Sequence, residues 1–259
     1  MCETVKCTAA GRRMEIKKIL MGHGQMSVNE MSAYFKISTV TIRKDLRQLE
    51  SEEAIIRGHG IARVSLQPSC KAYNIREKLQ QNYDLKMRIA THAASMVKEW
   101  DVVLLGSGST CCMIAQLLCR MHNIIIVTNA INFESQLDAH NARLIFLGGE
   151  YDAHNGSVSG TFALDALSSM NIDKFFIGTS GVTPQFEITS FDMSNNMIIN
   201  AMLKRSKEVI LVADYTKFGK SMAIKVADLS MIDAIITNNE LDPAIIQEIQ
   251  DKKKPLFLT

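Results

Sequence analysis

SVNEMSAYFKISTVTIRKDLRQLE (residues 27–50), followed by IRGHGIA (56–62), is the stretch on which the reading of the N-terminal fold turns. Ser27 is a good helix N-cap, and Glu30 three residues later completes a capping box that satisfies two free backbone N–H groups. Val28, Met31 and Phe35 share one face, so a short amphipathic helix ends near Phe35. Lys36 and Ile37 make a tight turn. Ser38 then caps a third helix over residues 39–52, in which Ile42, Leu46 and Leu49 recur at i, i+4 and i+7. Its outer face carries Thr39, Thr41, Arg43, Lys44 and Arg47. On the N-terminal side, RRMEIKKILM (12–21) places Ile16, Ile19 and Leu20 at helical spacing, and Gly22 and Gly24 stop that helix. On the C-terminal side, IIRGHGIARV (55–64) is a glycine-broken pair of short strands with Arg57 and His59 expected at the tip of a wing. A charged outer face alone is common on surface helices. Three helices in this order, with small hydroxyl residues and then basic ones opening the last helix, are what a major-groove reader needs. The candidate DNA contacts are therefore Ser38, Thr39, Thr41, Arg43, Lys44, Arg47, Arg57 and His59.

This run resembles, without gaps, the DNA-binding domain of the DeoR family of bacterial transcriptional regulators. TIRKDL followed by a glycine-rich wing is more restrictive than a generic helix-turn-helix. The resemblance implies a winged helix-turn-helix, an operator in double-stranded DNA as partner, and repression by family habit.

At 259 residues and 47% hydrophobic content the chain has room for a second core. A winged helix-turn-helix domain over 1–66, a linker over 67–84 running into a helix, and an α/β domain over 85–259 are expected, with the first dozen residues as an extension. Net charge is only +2, yet residues 1–66 carry 11 Lys and Arg against 7 Asp and Glu. The surplus attracted to phosphate thus sits at the N-terminus. Six cysteines (2, 7, 70, 111, 112 and 119) include no CxxC pair and no recurring spacing with histidine. Neither a zinc site nor a disulfide framework is indicated, and the vicinal Cys111 and Cys112 read as packing at a helix start. No apolar run approaches the roughly 18 residues that span a bilayer, and Glu3 precedes no apolar signal segment. A cytoplasmic setting is expected, with no metal or cofactor.

From residue 102 onward, short hydrophobic runs alternate with helical segments: VVLL (102–105), IIIV (124–127), LIFL (144–147), FFI (175–177), VILVA (209–213), AII (234–236) and LFL (256–258). Such alternation reads as an α/β domain with a largely parallel sheet. VVLL leads into GSGST (106–110), IIIV into Thr128 and Asn129, LIFL into Gly148 and Gly149, FFI into Gly178, and VILVA into DYTKFG (214–219). Open α/β sheets bind ligands beyond the C-terminal ends of their strands, so these loops converge on one expected crevice. Glycines followed by Ser109 and Thr110 at a helix start favour a phosphate or another anion. Dinucleotide binding is disfavoured, because Cys111 stands where the third glycine of GxGxxG belongs and the next strand ends in Thr128 and Asn129. The loop also lacks the GK[ST] of a Walker motif.

The second half, from about Arg76 to Asn238, also resembles the DeoR family through GSGST, TNA, LGGEY, SVSG, DKFFIGTSGV and ADYTKFGKS. The resemblance implies a fold like ribose-5-phosphate isomerase and CoA transferases and a sensor of phosphorylated sugars. By it, Ser107, Gly108, Ser109 and Thr110 cradle phosphate, Thr128, Asn129, Gly148 and Gly149 line the pocket, and Lys217 supplies positive charge. Two departures bear on the ligand: many members carry Asp at Gly106, and Glu and Lys within the segment that here reads NNMII, leaving Asn195 and Ile199. A sugar-phosphate isomerase or transferase is the alternative from another class, for which Glu187 and Asp192 are the nearest acids. A constitutive DNA-binding regulator with a vestigial pocket is the third. No catalytic residue is assigned, and one short half-site per winged helix implies a dimer or tetramer.

Overall fold

The computed structural model describes residues 9–23, 25–51, 55–58, 61–64, 75–138, 141–153, 155–191 and 196–259. It divides into two compact units, Met1–Lys71 and Ala72–Thr259.

In the first unit α1 (Ala9–His23) leads into β1 (Gln25–Ser27), α2 (Val28–Phe35) and α3 (Thr39–Ser51), and then β2 (Ile55–Gly58) and β3 (Ile61–Val64). The helix reaches back to Ala9, into the stretch expected to be an extension. The capping box forms: Glu30 N–H donates to Ser27 Oγ (3.2 Å) and Ser27 N–H to the Glu30 carboxylate (2.7 Å). These bonds hold the exposed Glu30 carboxyl below its ordinary range. Lys36 closes α2 in the left-handed conformation, φ 52°. Ile16, Leu20, Val28, Met31, Ile42, Leu46 and Leu49 form one buried core, which fixes how the three helices pack. The sheet has the order β1-β3-β2, antiparallel throughout. β1, which pairs Gln25–Ser27 with 61–63, is a strand the sequence pattern does not show.

The second unit begins with α4 (Ile75–Gln80) and α5 (Tyr83–Ser95), so the expected linker becomes helical ten residues before position 85. There follow β4 (Val102–Leu105), α6 (Ser109–Leu118), β5 (Ile125–Thr128), β6 (Arg143–Phe146), β7 (Glu150–Asp152), β8 (Ser157–Ser159), α7 (Thr161–Ser168) and β9 (Ile172–Ile177). The chain continues through β10 (Gly181–Val182), β11 (Glu187–Ser190), α8 (Asn196–Arg205), β12 (Ser206–Val212), β13 (Ile224–Asp228), β14 (Ala234–Thr237), α9 (Pro243–Asp251) and β15 (Leu256–Leu258).

The seven hydrophobic runs form a single sheet of order β15-β14-β12-β9-β4-β5-β6, every pair parallel. Helices on both faces explain why the strands read as continuous apolar runs. Successive residues alternate between two cores: Leu104, Phe175, Leu211 and Ile235 pack with α7, α8 and α9, whereas Val103, Phe176, Ile210 and Ile236 pack with α4, α5 and α6. A three-stranded antiparallel sheet, β10-β11-β13, and the hairpin β7-β8 stand beside it. Strand order runs one way from β4 to β6 and the other from β9 to β15, so it reverses between β4 and β9.

Because the capping box anchors α2, Ser27→Ala should cost the first unit about 1 kcal/mol. Amide hydrogen exchange of α2 in the full chain measures it, and unchanged protection would refute the expectation.

Candidate effector site and nucleic-acid interface

On α3 the sequence pattern divides as packing requires. Ile42, Asp45, Leu46 and Leu49 are buried, and Arg43, Lys44 and Arg47 are exposed. Asp45 is only 3% exposed, and the Arg12 guanidinium meets it at 2.5 Å with Arg13 at 3.6 Å. The pair ties α1 to the inner face of α3. Ser38 is exposed and Thr41 half-buried, and both take part in the cap: Thr41 N–H donates to Ser38 Oγ (3.2 Å), and the two hydroxyls are hydrogen-bonded (2.9 Å). Thr39 is half-buried. Arg57 lies within β2, paired with Ala62, and not at the wing tip as expected. His59 and Gly60 lie outside the described residues.

In the second unit the switch between β4 and β9 brings together the loops after both strands. Gly106 N–H donates to the Phe176 carbonyl (3.1 Å), and the Cys111 thiol to the same oxygen (3.4 Å). Gly178 stands against the Cys111 sulfur. Gly108 is the N-cap of α6, with open space where a Cβ would stand and no acidic residue in the first helical turn. The first N–H groups of that helix have no partner one turn back and carry the positive end of its dipole. Among the described residues, the hydroxyls of Ser107, Ser109 and Thr110 have no hydrogen-bond partner within the protein. Gly106 needs no special backbone conformation, and a Cβ there would meet only ordinary contacts of 3.6 Å or more. A Cβ is tolerated at this position, and with glycine there the crevice carries no carboxylate at this point.

Other expected residues are held by the fold itself. The Thr128 hydroxyl donates to Leu105 O (2.9 Å) and accepts from Ala130 N–H (3.1 Å). Asn129 clamps β8, giving Nδ2–H to Val158 O (3.0 Å) and accepting Val158 N–H at its carbonyl (2.8 Å). Gly148 is exposed, whereas a Cβ on Gly149 would fall 2.2 Å from the Ser159 carbonyl, so glycine there permits a close backbone approach. Lys217 follows β12, separated from β4 in the sheet by β9. Its loop docks on the small sheet through Phe218 beside Val182 and Lys220 N–H to Val182 O (3.1 Å). Burial lowers Lys217 from its ordinary pKa, with Lys78 and Lys220 adding to the shift and Asp214 opposing it. Ile199 is half-buried and packs against the core, and Asn195 and Asp192 lie outside the described residues.

Three groups here carry little sequence signal. Lys86 is 3% exposed and donates to the carbonyls of Lys78 (2.5 Å) and Gln81 (2.6 Å), closing the C-terminus of α4. Burial pushes it down to about 8, against the pull of Asp214. Asp214 is 1% exposed; its Oδ1 accepts from Thr216 N–H (3.1 Å), the Thr216 hydroxyl and Asn82, while Oδ2 has no partner among the described residues. Asn132, beyond β5, likewise has both amide atoms unpaired. An apolar period-2 or 3.6 pattern gives no warning of a lysine inside a core. Cys111 and Cys112 are buried with thiols pushed up to about 12 by desolvation, so they are packing groups. Among the described residues no three His, Cys, Asp or Glu side chains are placed to hold a metal, and no helix is long and apolar enough to cross a membrane.

Residues 12–67 match the family described as DeoR-like helix-turn-helix domain, and residues 81–239 the family described as DeoR C terminal sensor domain. The glycerol-3-phosphate regulon repressor of Escherichia coli strain K12 is 28% identical over 241 residues, covering 93% of this chain and 95% of that protein. The transcriptional regulator IolR of Bacillus subtilis strain 168 is 29% identical over 241 residues, covering 91% and 94%. Among solved structures, ribose 5-phosphate isomerase A of Methanocaldococcus jannaschii is 16% identical with a TM-score of 0.38, over 53% of this chain and 55% of that one.

The buried lysine has a signed pH consequence. Between pH 8 and 10.5 the folded protein has released the Lys86 proton while the unfolded chain keeps it, so stability rises with pH across that window. Relative to Lys86→Met, wild-type stability should climb from about pH 8 to about 10.5 and stay level below it. Urea unfolding at fixed ionic strength checks this; a level difference through the window would refute it.

Proposed function

The chain belongs to the DeoR family of transcriptional regulators, and from that premise we propose that it is a repressor of a carbohydrate-utilisation operon, released from its operator by a phosphorylated sugar or related metabolite. The observation that carries the reading is the basic stripe Arg43, Lys44 and Arg47, exposed on a helix whose opposite face is wholly buried. Arg suits guanine edges and both residue types suit phosphate. The isomerase alternative is set aside because the matching families and full-length relatives are those of regulators.

On this reading the effector phosphate lies at the N-terminus of α6 against Ser107, Gly108, Ser109 and Thr110. Thr128, Asn129, Gly148 and Gly149 shape the neighbouring strand ends, and Lys217 adds positive charge. The uncapped helix start, the unpaired hydroxyls and the absence of an acid at Gly106 support an anion there. The names of the relatives point the same way, one being a glycerol-3-phosphate regulon repressor. The protein acts in the cytoplasm as a homo-oligomer, dimer or tetramer, because a single winged helix reads only a short half-site.

Arg43→Ala and Arg47→Ala should each weaken operator binding by about 1 to 3 kcal/mol where the side chain meets a base edge. A phosphate contact would instead show as a shallower dependence of affinity on salt. Gel-shift titrations across a salt series distinguish the two, and unchanged affinity in both variants would overturn the assignment. For the sensor, a sugar phosphate held at α6 should raise the melting temperature by mass action. That rise should vanish in Gly108→Asp, which places a carboxylate at the anion's position; a flat screen across pentose, hexose and triose phosphates favours the vestigial pocket.

A further inference from the structure

Val40 is the residue of α3 that the fold leaves without a use. It is 71% exposed, whereas the other aliphatic residues of the helix, Ile42, Leu46 and Leu49, are at most 1% exposed. Valine is also a poorer helix former than alanine, so local propensity does not explain it. Its position does: Val40, Arg43, Lys44 and Arg47 stand at i, i+3, i+4 and i+7 and form a single exposed stripe. An aliphatic group therefore opens, in the first turn, the same surface whose next turns are basic.

We propose that Val40 is a specificity-determining residue that reads the C5-methyl of a thymine in the operator's major groove. The inference rests on the DNA-binding reading above and deepens it. In helix-turn-helix proteins the N-terminal residues of the recognition helix are the ones that reach base edges. There the thymine methyl is the one apolar feature of the major-groove code, and it is matched by apolar side chains. The neighbours leave this task to Val40: the Ser38 and Thr41 hydroxyls are engaged with each other and with the helix start, and Thr39 is half-buried. The charged residues further along bind phosphate or guanine and do not discriminate a methyl group. Contact with DNA would bury an aliphatic surface that is otherwise left in water.

The experiment removes the two partners separately. An operator is first obtained by in vitro selection with the wild-type protein, and each thymine is then replaced in turn by deoxyuridine, which lacks only the methyl group. Wild-type affinity should fall about fourfold at one thymine per half-site, the value of one buried methyl. In Val40→Ala that penalty should shrink to nearly none while the penalties at other thymines persist, and Val40→Thr, which keeps one methyl, should retain part of it. Melting temperatures of both variants, expected at or slightly above the wild-type value because the site is exposed and alanine favours the helix, show that the fold is kept. Equal deoxyuridine penalties at every thymine in wild type and Val40→Ala, with specific binding retained, overturn the proposal. Failure of the wild-type protein to select any DNA overturns the DNA-binding reading itself.

Discussion

All seven strands of the central sheet run in one direction, and the arrangement of the second unit follows from that constraint. Parallel neighbours cannot be joined by tight turns and need crossovers, which here cover both faces of the sheet with helices. Every strand's C-terminal end therefore lies along one edge. Where the order reverses between β4 and β9, the crossovers leave in opposite directions and the edge stays open. The loop 106–108 and Gly178 meet at that gap, stitched by the two bonds to the Phe176 carbonyl. The helix that starts there has a glycine cap and no acidic residue in its first turn. An anion at that point gains from backbone groups that the fold cannot satisfy by itself.

In the first unit the corresponding constraint is a charge. Asp45 sits on the buried side of a helix otherwise lined there by Ile42, Leu46 and Leu49, where an unpaired carboxylate would be costly. Arg12 and Arg13 neutralise it from α1. Two of the eleven basic residues counted before position 67 are thus spent inside the domain, while Arg43, Lys44 and Arg47 stay exposed. Net charge by segment pointed to the right domain and overstated how much of it reaches the surface.

How far the sequence alone could be read varies with the physics of each element. The seven apolar runs were legible because strands buried on both faces have no polar face to confuse the pattern, and all seven lie in the sheet. The Ser27–Glu30 box was legible because its geometry demands particular side chains at fixed spacing. β1 and the small sheet β10-β11-β13 were not, since strands of two to five residues show too little periodicity. Thr128, Asn129 and Gly149 were read as pocket residues by position; in the fold the Thr128 hydroxyl ties β5 to β4, and Asn129 and Gly149 hold β8. Val40 escaped notice because the outer face of the helix was read for hydroxyl and basic side chains, and an aliphatic one there gives neither signal. Lys86 escaped it because burial of a lysine depends on carbonyls, those of Lys78 and Gln81, that only the turn between α4 and α5 presents.

Binding alone does not make a switch: an effector moves an equilibrium only by its difference in affinity for two states. On the reading proposed above, the cluster around Asp214 supplies such a difference. Lys86 and Lys217 are both partly stripped of water, and Lys78 lowers the pKa of each. One buried carboxylate, Asp214, opposes these three cations, and three of its hydrogen bonds are directed to Oδ1. Crowding of like charge raises the free energy of any conformation that holds the lysines close without an anion, and an anion within reach relieves it. The Lys217 loop is fastened to the small sheet by Phe218 and Lys220, so it joins this charge cluster to β10.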